Sequence, residues 1–302
     1  VTFNGTSNQT LNGSYNYPFK KLAINKASGN VTANTTLSVD DSLIFIQGNL
    51  ITTSTNLLTM KNGSTATGAS NSSFVSGPVK KIGNTAFVFN VGSGSTYRPL
   101  TITAPSNTSD AFISEFKLDS ILVNSENSDS TLGLINRNDY WKLNRDAGAS
   151  QVYVTLSWDS LNALSDTFVS VATWNGTKWI NLGKTSVVGS NYYGTMKSAI
   201  TSSSYNEFSI GYLEKTAIPN APNCNAVTNA VDLQFCLNHT FVGAVIVAGS
   251  FDIPSGGWIS FPMQVKSNVT LRGGTLTTST KWYETGCPLI TASHKSYMTN
   301  TN

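Results

Sequence analysis

Over the first hundred positions the apolar residues fall in short alternating runs, not at helical spacing. "KLAIN", "NVTAN", "TLSV", "SLIFIQGNLIT", "NLLTM", "FVSGPVKKI", "AFVFNV" and "PLTIT" are separated by breaks rich in Asn and Gly. Alternation such as Leu43 and Phe45 turns one face of each strand into a core. Gly and Asn supply the corners that need φ > 0. Runs this short at quasi-regular spacing predict a small β-solenoid over residues 1–105, each coil covering the apolar face of the last. A sandwich is the alternative, because the runs show no single repeat length.

From 106 to 213 the strands lengthen and become aromatic: "DAFISEFKL", "DYWKLN", "SQVYVTLSW" and "NEFSIGYL". "VATWNGTKWINLG" predicts a hairpin turning at Asn175-Gly176, with Trp174 and Trp179 on opposite arms. This segment is expected to be a β-sandwich of immunoglobulin-like size. Residues 214–224, with two Pro and no periodicity, predict a linker. Within 225–302, "NAVTNAVDLQFCLNH" predicts a helix with Val227, Ala230, Val231 and Leu237 on one face, and short strands follow. The expected fold is therefore all-β: a small β-solenoid, then a β-sandwich, then a helix cap and the first coils of a right-handed parallel β-helix.

Composition narrows the function. Charged residues make up 12% of the chain and the net charge is +3, too weak a field for a basic nucleic-acid binder. Ser, Thr, Asn and Gly take the place of charges, as in secreted all-β proteins, so an extracellular, cell-surface location is expected. No apolar run approaches the roughly 20 residues that span a bilayer. "VTFNGTSNQT" has neither a basic start nor an apolar stretch of the signal-peptide kind, and "SYMTNTN" has no anchoring pattern. Val1 is thus expected to be a mature or internal start, and the chain one piece of a longer protein.

Cys224, Cys236 and Cys287 are the three cysteines. Their odd number fits one disulfide plus a free thiol, or a partner elsewhere. A zinc site drawn from Cys236, His239, Cys287 and His294 matches no familiar ligand spacing, and no metal is expected there.

The remaining candidate chemistry is sparse. "NVGSGSTYRPL" follows a strand, but it leads into another strand and not a helix, so a turn is expected in place of a phosphate loop. Lys80 and Lys81 are adjacent on a strand and point to opposite faces, which defeats a joint anion site. Asp40 and Asp41 form the one adjacent acidic pair, read as a turn or a weak Ca²⁺ contact; no cofactor is expected. With two His and no G-x-S-x-G or H-E-x-x-H, triad and zinc-hydrolase chemistry are not expected. Trp141, Trp158, Trp174 and Trp179 are expected in the core ahead of a sugar-stacking platform. Tyr192-Tyr193, in the Gly-flanked loop "GSNYYGTM", is the preferred ligand contact. Sequons are many, including those at Asn4, Asn30, Asn62, Asn175 and Asn268, and most are accidents of an Asn- and Thr-rich composition.

Two stretches carry a resemblance. "LTMKNGSTATGASNSSFVSGPVKKIGNTAFVFNVGSGSTYRPLTI", Leu58 to Ile102, resembles a segment recurring in large secreted and surface-attached proteins of Bacteroidota. Its marks are F-V-x-G-P-V-K-K-x-G, F-x-F-x-V-G and Y-R-P, and "FNGTSNQTL" upstream belongs to the same pattern. The resemblance implies a multidomain adhesin or exoenzyme exported by the type IX system. It also implies O-glycosylation at Asp-Ser followed by an aliphatic residue or Thr, which occurs at Ser42, Ser120, Ser130 and Ser160. "GAVIVAGSFDIPSGGWISFPMQVKSNVTLRGG", Gly243 to Gly274, resembles the entry coils of the pectate-lyase-like β-helix superfamily. There Arg272 falls at a coil corner, and a catalytic site is implied only beyond Asn302.

The expected function is a cell-surface adhesin or stalk that contacts cell-surface or environmental polysaccharide. Its rival is the N-terminal part of a polysaccharide lyase or glycoside hydrolase. A filament subunit pairing edge to edge is a third reading.

Overall fold

Inward positions of successive strands stack rung upon rung through the first hundred residues. The structure, a computed structural model, describes residues 1–13, 18–119, 127–136, 139–158, 169–189 and 193–213, six single positions between 223 and 236, and five strands between 243 and 300. Its first strands are β1 (Thr2–Gly5), β2 (Gln9–Leu11), β3 (Pro18–Lys26), β4 (Val31–Ala33), β5 (Leu37–Gln47), β6 (Leu50–Ile51), β7 (Leu58–Met60), β8 (Thr65–Thr67), β9 (Val75–Ser76) and β10 (Val79–Ile82). After them come β11 (Phe87–Phe89), β12 (Val91–Ser93), β13 (Thr96–Tyr97) and β14 (Leu100–Ile102). Strands β1, β3, β5, β7 and β10 pair in parallel as one face of a solenoid, and β2, β4, β6, β9 and β12 form the other.

The first face has a prevailing step of 21, which is 20 ahead of the Asp40–Asp41 bulge and 22 at Asn25–Gln47. Thr2 lies opposite Ala23, Ala23 opposite Ile44, Leu37 opposite Leu58 and Leu58 opposite Val79, 21 positions each time. On the second face Gln9, Val31, Leu50, Val75 and Val91 stack with steps of 22, 19, 25 and 16. The interior columns are apolar and buried, as in Leu22–Leu43, Ile24–Phe45 and Leu37–Leu58–Val79. Asp40 and Asp41 stand where β3 has only Lys20, so this acidic pair makes a β-bulge, not a turn. Beyond the bulge β5 leaves β7 and pairs with β8.

Polar side chains stitch the coils at their corners. Asn8 Oδ1 accepts from Asn30 N at 2.9 Å, Asn30 Oδ1 from Asn49 N at 3.0 Å, and Asn49 Oδ1 from Phe74 N at 3.1 Å. Each amide thus satisfies a backbone donor of the following coil that the ladder leaves over. Lys26 and Lys81 are inward-facing and each 1% exposed. Lys26 Nζ donates to Asn4 O and Gln9 Oε1. Lys81 continues the interior column Val39–Met60. Its ammonium donates to Lys61 O at 2.6 Å, Ser64 O at 2.9 Å and Ser64 Oγ at 3.1 Å, with the Phe87 ring 4.9 Å away.

The expected boundary at 105 does not interrupt the first solenoid face, whereas the second face ends at β13. The strands that follow are β15 (Ala111–Lys117), β16 (Leu132–Ile135), β17 (Tyr140–Ala147), β18 (Val154–Trp158), β19 (Val169–Trp174), β20 (Trp179–Asn181), β21 (Ser186–Gly189), β22 (Gly194–Lys197) and β23 (Glu207–Leu213). Antiparallel pairing of β10 with β15 carries the first solenoid face onward as β15-β17-β23-β19-β20. A second sheet, β11-β14-β18-β22-β21, faces it. One apolar cluster runs from Leu22 and Ile24 through Phe89 and Ile102 to Trp141, Phe208 and Ile210. The solenoid and the sandwich-like half therefore share this core, while Leu132, Ile135, Ala172, Trp174 and Trp179 pack as a smaller cluster of their own.

The Y-R-P segment closes this junction. Trp141, fully buried on β17, donates its indole N–H to Arg98 O at 2.9 Å and packs against Phe116. Burial lowers the Arg98 guanidinium below its usual range, against the pull of Asp139, and raises the Asp139 carboxyl despite Arg98 and an Asn136 hydrogen bond. Tyr97, pushed up to about 12 by burial, donates to Asn90 Oδ1.

Further on, β24 (Gly243–Ile246) pairs in parallel with β26 (Val269–Arg272), and β25 (Ser250–Ile253) with β27 (Thr275–Thr278), which pairs with β28 (Met298–Asn300). Their steps are 26, 25 and 22 residues, compatible with successive coils of a β-helix. Asp232 and Cys236 are helical, and Asn229 caps that segment by accepting from Asp232 N and donating to its carboxylate. The linker expected at 214–224 lies outside the described residues except for Asn223.

Candidate functional site

Local chemistry explains most of the signature residues without a ligand. The loop of "NVGSGSTYRPL" is the β12–β13 hairpin, with Gly92 opposite Tyr97 and Ser93 opposite Thr96. Gly94 there has φ +62°, and a Cβ on Gly92 would meet the Phe74 ring at 2.7 Å. Lys80 and Lys81 diverge as alternation requires: Lys80 reaches Asp146 on the outside at 2.5 Å, while Lys81 lies within the coil. Burial lowers Lys81 to about 8. The Asn175-Gly176 hairpin is present, with Trp174 opposite Trp179, but its loop spans four residues. Asn175 Oδ1 holds that loop by accepting from Thr177 N and Lys178 N. Sequon residues Asn30, Asn62 and Asn175 all commit their side-chain carbonyls to backbone donors in this way.

Trp141, Trp158, Trp174 and Trp179 are all buried, so they form no sugar-stacking platform. Tyr193 is 67% exposed just before β22, and Val188 on the paired strand β21 is 69% exposed. Tyr192 lies outside the described residues. Of the four serines in Asp-Ser motifs, Ser120 and Ser160 also lie outside them. Ser42 is half-buried on β5 just past the Asp40–Asp41 bulge, whereas Ser130 is exposed in a turn. Cys236 is disulfide-bonded, which removes its thiolate from any zinc set; Cys224, Cys287, His239 and His294 lie outside the described residues. Among the described residues no three His, Cys, Asp or Glu converge. Asp41 has Lys21 at 3.9 Å.

The turn that holds Ser130 borders an open depression of about 430 Å³. Asp129, Ser130, Thr131, Asn181, Leu182, Gly183, Ala199 and Ile200 line it. Three segments far apart in sequence meet there: the turn before β16, the end of β20 and the loop after β22. Asp129 organises the polar wall. Its Oδ1 accepts from Thr131 N at 2.9 Å and Thr131 Oγ1 at 2.6 Å, and its Oδ2 from Asn181 N at 2.7 Å. Asn181 Nδ2 donates to Thr131 Oγ1 at 2.9 Å, and its Oδ1 accepts from Gly183 N at 2.7 Å and from Ser170 Oγ. Burial pushes the Asp129 carboxyl up, but the hydrogen bonds from Thr131 and Asn181 and the nearby Lys178 outweigh it and hold it below its usual range. The floor is apolar, with Leu182 buried and Ile200 54% exposed. The Asp-Ser motif marks Ser130, but no local pattern links Asp129 to Asn181 or Ile200.

No protein-family model matches the chain, and searches of curated proteins and of solved structures find no match.

Proposed function

We propose that the chain is a rigid spacer in a secreted, surface-associated multidomain protein, with a structural and glycan-contacting role of the adhesin or stalk kind. The continuity of the sheet carries this reading: ten strands from β1 to β20 follow one another across the junction. Nine inter-strand steps of ~4.8 Å make that path about 43 Å long. A shared core leaves no hinge at residue 105, and buried corner lysines and Asn ladders fix each coil on the next. A sparsely charged, Asn- and Thr-rich surface suits an extracellular setting. Immunogold labelling of intact producing cells is expected to decorate the surface. Label confined to the cell interior would overturn the reading.

A second reading has its own support. The parallel pairing of β24 with β26 and of β25 with β27 and β28 suits the entry coils of a carbohydrate-active β-helix enzyme. Depolymerisation of polyuronate or neutral glycans by the full gene product, lost when residues beyond 302 are deleted, would favour it over the spacer.

A further inference from the structure

We propose that the depression between the Asp129–Thr131 turn and the Asn181–Gly183 corner binds a neutral pyranose through two neighbouring hydroxyls. A carboxylate oxygen accepts two hydrogen bonds and a side-chain amide donates two. Among the described residues Asp129 Oδ2 accepts one, from Asn181 N, and Asn181 Nδ2 donates one, to Thr131 Oγ1. An acceptor and a donor are thus left on adjoining groups, which is the pairing that two vicinal hydroxyls complement. Leu182, Ala199 and Ile200 supply an apolar floor for the C–H face of the ring.

The polar wall is held in place before any ligand arrives, since Asp129, Thr131, Asn181 and Gly183 are bonded to one another. Little ordering cost remains to be met on binding. The ionised Asp129 selects against uronates and other acidic sugars by like-charge repulsion. The site gives a ligand class to the surface-contacting role proposed above and rests on that reading. Labelling of cells tests location while the titration below tests the site, so the two fail separately.

The full chain, labelled with ¹⁵N, is titrated with the methyl glycosides of mannose, galactose and N-acetylglucosamine, and with glucuronate as the acidic control. Saturable amide shifts confined to Thr131, Asn181, Gly183 and Ile200 are expected, with a dissociation constant on the order of 10 mM for so open a site. Ile200→Glu alters an exposed side chain and is expected to weaken binding at least about tenfold, while remote amides report an unchanged fold. Thr131→Val is expected to weaken it severalfold by freeing the Asn181 amide from its partner. The proposal is overturned if none of the three glycosides gives saturable shifts up to about 100 mM, if glucuronate binds as tightly, or if Ile200→Glu leaves binding intact.

Discussion

Replacing Trp141 by Phe tests the claim that one core spans the junction. The indole is fully buried, and its N–H is the donor to the carbonyl of Arg98. Phe keeps the contact with Phe116 but removes the indole's hydrogen bond to that carbonyl, and losing a buried bond of this kind costs about 1–3 kcal/mol. The smaller ring also leaves roughly 40 Å³ empty, about 1 kcal/mol at ~24 cal/mol per Å³. The sum is a loss of about 2–4 kcal/mol. With a urea m-value of roughly 2–3 kcal/mol/M, the midpoint moves down by about 1 M. Urea unfolding is followed by tryptophan fluorescence for the sandwich-like half and by amide exchange of Leu22, Ile24 and Leu43 for the solenoid. Both probes are expected to shift together, because the core from Leu22 to Ile210 is continuous. A shift in the fluorescence transition with solenoid exchange unchanged would refute the shared core. A loss below about 0.5 kcal/mol would refute the bridging role of the indole.

Lys81 is lowered to about 8 from 10.5, so between those pH values the unfolded chain holds the proton that the folded chain has released. Stability relative to Lys81→Met is therefore expected to rise from pH 8 to about 10.5 and to be flat below 8; a pH-independent difference in Tm would refute this. Asp110 is held low chiefly by the Ser150 hydroxyl, with further hydrogen bonds from Asn107 and Ala149 outweighing burial. Its stabilisation is present above about pH 4 and is lost on acidification. Ser150→Ala is expected to cost about 1–2 kcal/mol at pH 7 and to flatten the acid limb, read by urea unfolding across pH 3–7. Peptide mass spectrometry of the native protein is expected to find a glycan on at least one of Ser42, Ser120, Ser130 and Ser160. Four bare serines would remove that expectation.

Alternation in the sequence revealed the strands, the Trp core and the divergence of Lys80 from Lys81, because those follow from the two-residue period of a strand. The 21-residue step stayed hidden because only one face keeps it. The Val31–Leu50 and Leu50–Val75 steps of 19 and 25 blur any repeat read along the whole chain. That Lys81 is the member turned inward depends on its place above Met60, a relation between coils. Continuity across residue 105 depends on β10 pairing with β15 and on Trp141 reaching Arg98, 43 positions earlier. The Asp129–Asn181 depression escaped for the same reason, since Asn181 N and Asp129 Oδ2 are 52 positions apart.

The two unequal faces give the coil a fixed flank and an adjustable one. Where the step stays within one residue of 21, single slips are taken up by bulges such as Asp40–Asp41, and a larger change would turn an interior column to solvent. The other flank already absorbs steps from 16 to 25 while the main path of its neighbour stays within one residue of 21. Guest peptides spliced into that side, by evolution or by design, are free to vary in length while the pitch of the rod stays constant.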